Sequence, residues 1–414
     1  MKTEFKDCWL VLPSRRIGFG DLAVENGVIA AIEEKAPPPV HAATARLVMP
    51  GLVNCHGHTA MTLLRCRGAG LKLQQWLEEA IFPVEAKMTA EDIRAGALWG
   101  AMEMLSSGTT LVADMYDFPA TGAEAFEEAG IKANVCRVGL GFVEGRLEDC
   151  ISFTANWKPS LALADIAIHS EYLTDEKFCR ALADANRELK RPLHAHVSET
   201  KREHEDCIGR HGMTPVAYLA RTGLLDHGAY LAHCVWCTDD DFRIMREHGA
   251  TLVHNPSSNL KLGSGMARIP EAIAAGVNVA LGTDGSASND NLDMFEEMHL
   301  ASLLHKGRLT DPTAMPAWDV IEMATVNGAR ALGRDDTGVL AVGKAADLCV
   351  VDLDKPHLMP ASDIPSLIVH SMRGGDVSLT MVDGEIVYER GEFMRINRPR
   401  AEFDFRTSLR RLGI

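Results

Sequence analysis

Between residues 48 and 345, apolar runs of strand length alternate with segments of helical periodicity, and this alternation restricts the possible folds more than any other feature of the sequence. There are eight such runs, at about 47–55, 109–114, 131–138, 165–169, 192–197, 228–233, 249–254 and 277–283. Helices are predicted between them, for example one that is capped by Thr89 and ends at Gly108. Eight strand–helix units predict an α/β fold of the (β/α)8, TIM-like type, although a doubly wound sheet shows the same local alternation.

Short β segments flank this span at both ends of the chain. The turn signal Asn26-Gly27 separates two of them near the N-terminus, and Asp383-Gly384 separates two near the C-terminus. We expect the two ends to pair, so that residues 1–47 and 346–414 form one small β-sandwich around a continuous barrel of residues 48–345. Pro37-Pro38-Pro39 predicts a stiff connection between the first β unit and the barrel.

Ionisable side chains follow six of the predicted strands, at the end where a barrel of this type carries its chemistry. They are His56 and His58, His169, His194 and His196 with Glu199 just beyond, His233, His254, and Asp284. A lone His-x-His pair arises by chance, but six such coincidences indicate a metal centre. Several imidazoles with one carboxylate suit Zn²⁺, with Fe²⁺ as the alternative, and a coordination position left for water makes such a site hydrolytic.

The composition narrows the class of partner. Forty-two Lys and Arg residues against 57 Asp and Glu give a formal charge of −15, which repels nucleic acid and anionic membranes, so a small-molecule substrate is expected. The ten cysteines show no framework spacing, which predicts reduced thiols and a cytoplasmic location. There is no apolar run of 18 residues and no cleavable leader, so neither membrane insertion nor export is predicted.

Several longer motifs resemble those of the amidohydrolase superfamily. They are Met-Pro-Gly-Leu-Val-Asn-Cys-His-Gly-His at 49–58, His-Val-Ser-Glu-Thr at 196–200, Leu-Ala-His-Cys at 231–234, His-Asn-Pro-Ser-Ser-Asn-Leu-Lys-Leu at 254–262 and Gly-Thr-Asp-Gly at 282–285. Within the superfamily, the chain most resembles the 5-methylthioadenosine/S-adenosylhomocysteine deaminase branch, near the chlorohydrolases and guanine deaminases. The likeness runs over nearly the whole chain and implies a metal-dependent barrel hydrolase.

The resemblance implies a role for each of the reactive side chains. One metal would be held by His56, His58, His196 and Asp284. No lysine ends the fourth strand, where binuclear members place a bridging ligand, so a single metal is expected. His233 and Asp284 would orient the attacking water and take its proton, while Glu199 would give a proton to the adenine ring nitrogen beside the attacked carbon. The products would be ammonia and an inosine-type nucleoside.

The same resemblance implies how the substrate is held. Glu85 would bind the ribose hydroxyls and His169 the nucleoside. Arg137 and Arg146 match positions that contact the amino-acid tail of S-adenosylhomocysteine. The sequence departs from the branch at Ser170-Glu171-Tyr172, where an extra carboxylate could repel a tail carboxylate or pair with an amino group.

Two other functions are compatible with the sequence. One is hydrolysis of a different amino-heterocycle, such as guanine, a pterin or an s-triazine, including chlorohydrolase chemistry. The other is a barrel that has lost catalysis and serves as a scaffold, which the complete set of ligands and acid–base residues argues against. The preferred adenine nucleoside and the role of His254 stay open. The resemblance also suggests a homo-oligomer, either a dimer or a tetramer.

Overall fold

The computed structural model describes residues 2–38 and 46–414, so Pro39 of the predicted proline connection lies outside the described residues. Sixteen strands lie in this part of the chain. They are β1 Lys2–Leu12, β2 Arg16–Glu25, β3 Val28–Glu34, β4 Arg46–Pro50, β5 Leu52–Gly57, β6 Thr109–Met115, β7 Lys132–Gly139, β8 Ala162–Ile168, β9 Leu193–Val197, β10 Ala229–His233, β11 Thr251–His254, β12 Asn278–Leu281, β13 Leu348–Asp352, β14 Val377–Val382, β15 Glu385–Glu389 and β16 Glu392–Phe393.

Sixteen α-helices occur in the same described ranges. They are α1 Leu73–Gln75, α2 Phe82–Glu85, α3 Ala90–Ser106, α4 Pro119–Ala129, α5 Arg146–Asn156, α6 Glu176–Leu189, α7 Lys201–His211, α8 Pro215–Thr222, α9 Asp239–Glu247, α10 Pro256–Lys261, α11 Ile269–Ala274, α12 Met294–Leu309, α13 Ala317–Met323, α14 Val326–Ala331, α15 Ile364–His370 and α16 Arg398–Leu412. A π-helical turn over Trp76–Ile81 joins α1 to α2. Among these helices, none combines the length and the apolar character needed to cross a bilayer.

The predicted barrel is confirmed. Strands β5 to β12 pair in chain order, every pair is parallel, and at least one helix follows each strand. The sheet closes where the chain leaves β12, because the amide of Asp284 donates to the carbonyl of His56 at 2.9 Å. This closure brings the end of the last strand against the end of the first, and therefore brings the side chains that follow β12 toward those of β5.

The two ends of the chain form the second sheet, as predicted. Its order is β16-β15-β14-β13-β4-β1-β2-β3, so the C-terminal strands lie on one side of β4 and the N-terminal strands on the other. The two predicted hairpin turns lie against each other: the amides of Gly384 and Ala346 donate to Ala346 and Gly27, respectively. Three strands separate these hairpins in the sheet, so the contact requires the sheet to fold over on itself. The enclosed side chains form a core of their own that includes Phe5, Leu22, Val48 and Met381.

The single strand predicted over 47–55 is wrong, because two strands occupy that segment. β4 pairs with β1 and β13 in the terminal sheet, whereas β5 begins the barrel. The chain changes sheets at Gly51, whose backbone lies so close to Thr110 that a Cβ there would stand 2.2 Å from the Thr110 hydroxyl oxygen. Both strands are apolar, so periodicity did not reveal the break, and the predicted boundary between residues 47 and 48 falls inside β4.

Helix α16, which the sequence analysis did not predict, supports the wall of the barrel mouth. The ring of Phe405 stacks on Trp99 of α3 at a centroid distance of 4.8 Å, and Arg411 pairs with the buried Asp92 at the start of α3. Phe405 and Leu412 share one apolar cluster with side chains of the 60–88 segment. That segment carries Glu85, so the C-terminal helix helps to position it.

Candidate active site

A cavity of about 360 Å³ opens at the carboxyl ends of the barrel strands. Its floor is polar, whereas its walls are mostly apolar. The floor residues come from five different strand ends or the loops that follow them: His58, His169, His196, Glu199, His233 and Asp284. This is the position and the construction expected for the reactive site of a (β/α)8 barrel.

Four side chains on the floor point their donor atoms at one spot. His56 and His58 are two residues apart on β5, so their rings leave the strand on one side. The Nε2 atoms of these two rings lie 3.4 and 3.2 Å from Asp284 Oδ1. His58 Nε2 also lies 3.2 Å from His196 Nε2. Sets of three such donor atoms lie within 4.8 Å of one another, and His233 shares one set with His56 and His196.

The hydrogen bonds of the other ring nitrogens select the tautomer that a metal requires. Nδ1 of His58 lies 2.5 Å from the Met115 carbonyl oxygen, Nδ1 of His196 lies 2.7 Å from that of His169, and Nδ1 of His233 lies 2.9 Å from Asn259 Oδ1. A carbonyl oxygen only accepts, so each Nδ1 carries the hydrogen. In the neutral form of each ring, the lone pair is therefore on Nε2, which faces the cavity floor.

His56 supports the same conclusion from a different observation. Its Nε2 is fully buried and has no hydrogen-bond partner, although its Nδ1 is paired with His194 Nε2 at 2.8 Å. Burial lowers the pKa of His56 to about 4, so its ring is neutral at pH 7. A buried ring nitrogen without a hydrogen-bond partner fits a metal ligand. The donor set of three imidazoles and one carboxylate therefore fits a divalent metal such as Zn²⁺.

His58 differs from His56 in its protonation. Burial lowers its pKa, but the hydrogen bond and charge of Asp284 outweigh that effect and raise the pKa to about 9. A cation that binds His58 Nε2 must therefore displace a proton from it. Metal affinity at this site should fall as the pH is lowered.

Asp284 is held rigidly by its neighbours. Its Oδ2 accepts hydrogen bonds from the hydroxyls of Ser258, at 2.6 Å, and Ser288, at 2.9 Å. Its backbone is left-handed, with φ of 61°, and His233 has φ of 72°. Such conformations are costly for residues other than glycine, and they persist where the surrounding structure enforces them, commonly at functional sites.

Glu199 lies beside the donor cluster without belonging to it. Its Oε2 is 3.9 Å from His233 Nε2, and its Oε1 accepts a hydrogen bond of 3.3 Å from the Ser264 hydroxyl. Burial raises the pKa of Glu199, and the nearby His233 opposes that rise. A buried carboxyl with a raised pKa next to a metal site is suited to donating a proton.

Glu203 fixes the position of Glu199. Its carboxylate accepts hydrogen bonds from the amides of Ser198 and Glu199, both at 2.8 Å, and from Thr200 at 3.4 Å. In return, the Thr200 hydroxyl accepts from the Glu203 amide and caps α7. The backbone that carries Glu199 is therefore tied to the first turn of a helix.

Comparisons with known proteins identify the family of this chain. The sequence profile of the amidohydrolase family matches residues 47–387. The chain belongs to the amidohydrolase family. It is 44% identical to the 5-methylthioadenosine/S-adenosylhomocysteine deaminase of Acetivibrio thermocellus, over 89% of this chain and 88% of that protein. It is 42% identical to the 5'-deoxyadenosine deaminase of Methanothermobacter thermautotrophicus, over 92% of each.

A solved structure gives the same result in three dimensions. An adenosine deaminase from Xanthomonas campestris with bound zinc superposes with a TM-score of 0.92 at 31% sequence identity, covering 99% of this chain and 98% of that one. The predicted resemblance to the amidohydrolases and the predicted barrel are thus confirmed.

The remaining predicted substrate residues of this amidohydrolase lie in different places. Glu85 and His169 line the cavity. Glu85 accepts a hydrogen bond of 2.5 Å from the Tyr116 hydroxyl, and burial raises the pKa of its carboxyl while that hydrogen bond opposes the rise. The ring of His169 lies 4.6 Å from that of His196, and its Nδ1 is paired with the Ser170 hydroxyl at 3.1 Å. His169 therefore belongs to the floor of the cavity and Glu85 to its wall.

Arg137 and Arg146 are not among the residues that line the cavity. Arg137 lies 3.3 Å from Asp117 and 3.5 Å from Asp149, whereas Arg146 donates to the Val138 carbonyl at 3.0 Å and lies 3.5 Å from Asp117. Asp117 does line the cavity. Both guanidinium groups are thus paired with an acidic side chain that lines the cavity, whereas they do not line it themselves.

Glu171 does not face the substrate space, contrary to the expectation that it would influence a tail. Its buried carboxylate accepts two hydrogen bonds from Arg210, at 2.7 and 2.8 Å, and lies 3.0 Å from His211 Nε2. Tyr172, the next residue, lines the cavity instead. The carboxylate that departs from the branch pattern therefore joins the loop after β8 to the end of α7.

His254 is also absent from the cavity lining. It is fully buried beside His305, with a centroid distance of 5.3 Å between the rings. Leu252, two residues earlier on β11, belongs to the core between the barrel and its helices. His254 points to the same side, because side chains alternate along a strand. His305 is a buried core residue of α12.

Sequence reasoning missed several residues that hold the floor in place: Ser258, Asn259, Ser264, Ser288 and Glu203. The signal for two of them was present in the motif at 254–262, where Ser258 and Asn259 are buried together with Asn255. A polar run inside an otherwise apolar stretch indicates side chains that form hydrogen bonds in the protein interior.

Proposed function

We propose that this chain is a metal-dependent hydrolase that deaminates adenine nucleosides, with methylthioadenosine, S-adenosylhomocysteine, adenosine and 5'-deoxyadenosine as the candidate substrates. The observation that carries the proposal is the set of His56, His58, His196 and Asp284 around one spot, with Glu199 3.9 Å from His233 beside it. The deaminases named above, at 42–44% identity over about nine-tenths of the chain, support the choice of substrate.

The reaction replaces a C–N bond by a C–O bond and releases ammonia. His56, His58, His196 and Asp284 would hold one divalent metal, Zn²⁺ in preference to Fe²⁺, which would lower the pKa of the attacking water toward about 7. His233 accepts the water proton at Nε2, because its Nδ1 hydrogen is held by Asn259. Asp284 orients that water and shares its proton, since both of its oxygens face hydrogen-bond donors.

Glu199 supplies the proton that the leaving group needs. Burial raises its pKa and so favours the protonated carboxyl, which can donate to the ring nitrogen beside the attacked carbon. Glu199 then regains a proton from His233, whose Nε2 is 3.9 Å away, and passes it to the amino group, which departs as ammonia. The second proton of the water, taken from the new hydroxyl by Asp284, restores the acid form of Glu199. The balanced products are ammonia and an inosine-type nucleoside.

The walls hold the substrate so that its amino-bearing carbon meets this floor. Glu85 accepts hydrogen bonds from the ribose hydroxyls, with Tyr116 fixing its second oxygen. His169 contacts the nucleoside from the end of β8. Arg137 and Arg146 act through Asp117, whose position they set, because neither arginine lines the cavity.

The proposal extends to the setting of the enzyme. Nine of the ten free cysteines are buried, which suits a reducing cytoplasm. A homodimer or homotetramer is proposed as well, and analytical ultracentrifugation distinguishes these states from a monomer.

Ammonia release across a substrate panel tests the proposed function. The zinc-loaded enzyme is assayed with adenosine, 5'-deoxyadenosine, methylthioadenosine, S-adenosylhomocysteine, guanine and a pterin, and each is scored by kcat/KM. At least one adenine nucleoside should be the best substrate, and chelation followed by zinc should abolish and restore its turnover. Turnover of a free base alone would support the other amino-heterocycle chemistry and overturn the nucleoside assignment.

A further inference from the structure

Four aromatic side chains surround the mouth of the cavity and are exposed to solvent. Phe82, Phe118, Phe142 and Tyr172 are 44%, 45%, 73% and 38% exposed, and all four line the cavity. They come from four separate segments that converge on this mouth. Large apolar side chains that gather on one exposed surface mark a place where another molecule binds.

The charged groups of the mouth are all acidic. Outside the floor, the described lining residues include two carboxylates, Glu85 and Asp117, and neither a lysine nor an arginine. The remaining lining of the walls is apolar, with Leu73, Leu77, Leu140, Leu173 and Leu262. A carboxylate that enters this mouth therefore loses its hydration next to aromatic rings and is repelled by the negative charge of the two carboxylates.

Three cations that lie beside lining residues are already engaged. Arg137 and Arg146 pair with Asp117, and Arg146 also donates to a main-chain carbonyl. Lys261, which precedes the lining residue Leu262, donates to Asp290 at 2.6 Å and to the Ala287 carbonyl at 3.0 Å. Recruiting any of them to a substrate would leave its present carboxylate or carbonyl partner without a donor.

The orientation of the substrate follows from the position of the floor. The amino-bearing carbon has to reach Glu199 and the donor cluster, so the ribose points outward along the cavity. The 5' substituent is the part of the molecule farthest from the adenine amino group and therefore lies at the mouth. The mouth therefore distinguishes substrates by their 5' substituents.

We propose that the mouth is a specificity site for uncharged, apolar 5' substituents, so that the enzyme prefers methylthioadenosine to nucleosides that carry an amino-acid tail. This inference rests on the proposed function. Phe82, Phe118, Phe142 and Tyr172 bury the methylthio group, whereas the carboxylate of S-adenosylhomocysteine finds no lysine or arginine among the described lining residues and lies near Asp117. Discrimination arises mainly from the cost of desolvating that carboxylate.

A matched set of substrates tests charge separately from size. The set consists of methylthioadenosine, 5'-deoxyadenosine, S-adenosylhomocysteine, 5'-n-butylthioadenosine as a neutral analogue of similar length, 5'-(carboxymethylthio)adenosine and 5'-(aminoethylthio)adenosine. We expect kcat/KM for S-adenosylhomocysteine to be at least about tenfold below that for methylthioadenosine, which corresponds to roughly 1.4 kcal/mol. The butylthio analogue should stay within a few-fold of methylthioadenosine, and the carboxymethylthio analogue should be the poorest.

Three results would overturn the inference. They are equal kcat/KM for S-adenosylhomocysteine and methylthioadenosine, a butylthio analogue as poor as S-adenosylhomocysteine, and a carboxylate analogue better than the amine. If none of the nucleosides releases ammonia while a free base does, the proposed function has failed instead. The two failures are therefore distinguishable in one experiment.

Variants of the mouth sharpen the test. Phe142→Arg places a cation at the most exposed ring, and Phe142→Gln adds polarity without charge as its control. We expect the ratio of kcat/KM for S-adenosylhomocysteine to that for methylthioadenosine to rise several-fold in Phe142→Arg and not in Phe142→Gln. Asp117→Asn should raise the same ratio, because it removes a negative charge and releases Arg137 and Arg146. An unchanged ratio in both Phe142→Arg and Asp117→Asn would contradict the proposal.

Discussion

The floor and the mouth of the cavity are built from different parts of the fold. The floor side chains come from the ends of barrel strands and are held by buried hydrogen bonds: Asn259 holds His233, Ser258 and Ser288 hold Asp284, and Glu203 holds the backbone of Glu199. The mouth side chains come from loops and short helices, and its rings are exposed. The most constrained side chains are therefore those that surround the reacting atoms.

Because of this difference, the floor residues carry out the reaction and the mouth residues select the substrate. Floor residues are positioned by parallel strands whose spacing is set by backbone hydrogen bonds, so small changes in loops leave them in place. Mouth residues sit on segments such as 82–88, 116–118 and 140–142, which can change without disturbing the strands. Substitutions at the floor should therefore abolish turnover, whereas substitutions at the mouth should reorder substrates.

The largest effect is expected at the floor, from Glu199→Gln. The amide cannot donate and recover a proton, so kcat should fall by about 10²- to 10⁴-fold with every substrate. Metal content, measured by inductively coupled plasma spectrometry, should not change, because Glu199 is outside the donor cluster. Steady-state ammonia release provides the readout.

The control for this variant is Glu205→Gln, on the exposed face of α7. It removes one carboxylate from the same helix region and should leave kcat within about twofold, as expected of a surface substitution. A Glu199→Gln enzyme that retains full turnover would show that another group shuttles the proton.

The floor could be predicted from the sequence to a greater degree than the mouth, for a physical reason. His56, His58, His196, His233 and Asp284 follow apolar runs, and parallel strands bring their carboxyl ends together whatever the loops do. Arg137 and Arg146 also lie near a strand and the helix after it, but whether a long side chain reaches the cavity depends on partners such as Asp117. Sequence spacing does not encode such a pairing.

The same limit explains other errors. Glu171 could be recognised as an unusual carboxylate, yet its partner Arg210 lies 39 residues away and on a different helix. Gly51 separates two sheets within one apolar run, and only the close approach of Thr110 reveals it. Local patterns predicted the elements, whereas long-range contacts decided which side chains face the cavity.

The wall between floor and mouth should give an intermediate effect, tested by Glu85→Ala. Loss of a charged acceptor for the ribose hydroxyls should lower kcat/KM for methylthioadenosine by about 10- to 100-fold, equivalent to roughly 1.5–3 kcal/mol for a hydrogen bond to a charged group. A substrate without those hydroxyls, the 2',3'-dideoxy nucleoside, should lose only a few-fold. Equal losses for both would mean that Glu85 does not bind the ribose.

Tyr116→Phe should have a smaller effect at the same place. The hydroxyl donates to Glu85 at 2.5 Å, and its removal frees one carboxylate oxygen without removing the carboxylate. We expect KM for methylthioadenosine to rise about two- to tenfold, in line with roughly 0.5–1.5 kcal/mol for one hydrogen bond, while kcat changes less. A fall in kcat with unchanged KM would instead assign Tyr116 to the floor, through its position beside His58.

The smallest effect on activity is expected from Arg210→Ala, which tests whether Glu171 belongs to the mouth at all. The variant leaves the buried Glu171 carboxylate with His211 as its remaining partner, so the free energy of unfolding in urea should fall by about 1–3 kcal/mol, a range that discounts for the 43% exposure of Arg210. Arg202→Ala on the same helix, whose partner Asp206 is 3.4 Å away in an exposed pair, should change it by no more than about 0.5 kcal/mol. Because the Glu171 carboxylate points away from the cavity, the ranking of 5'-substituted substrates should be the same in both variants and in the unaltered enzyme. A changed ranking in Arg210→Ala alone would place Glu171 among the groups that select the 5' substituent. The loop after β8 would then contribute to substrate selection as well as to stability.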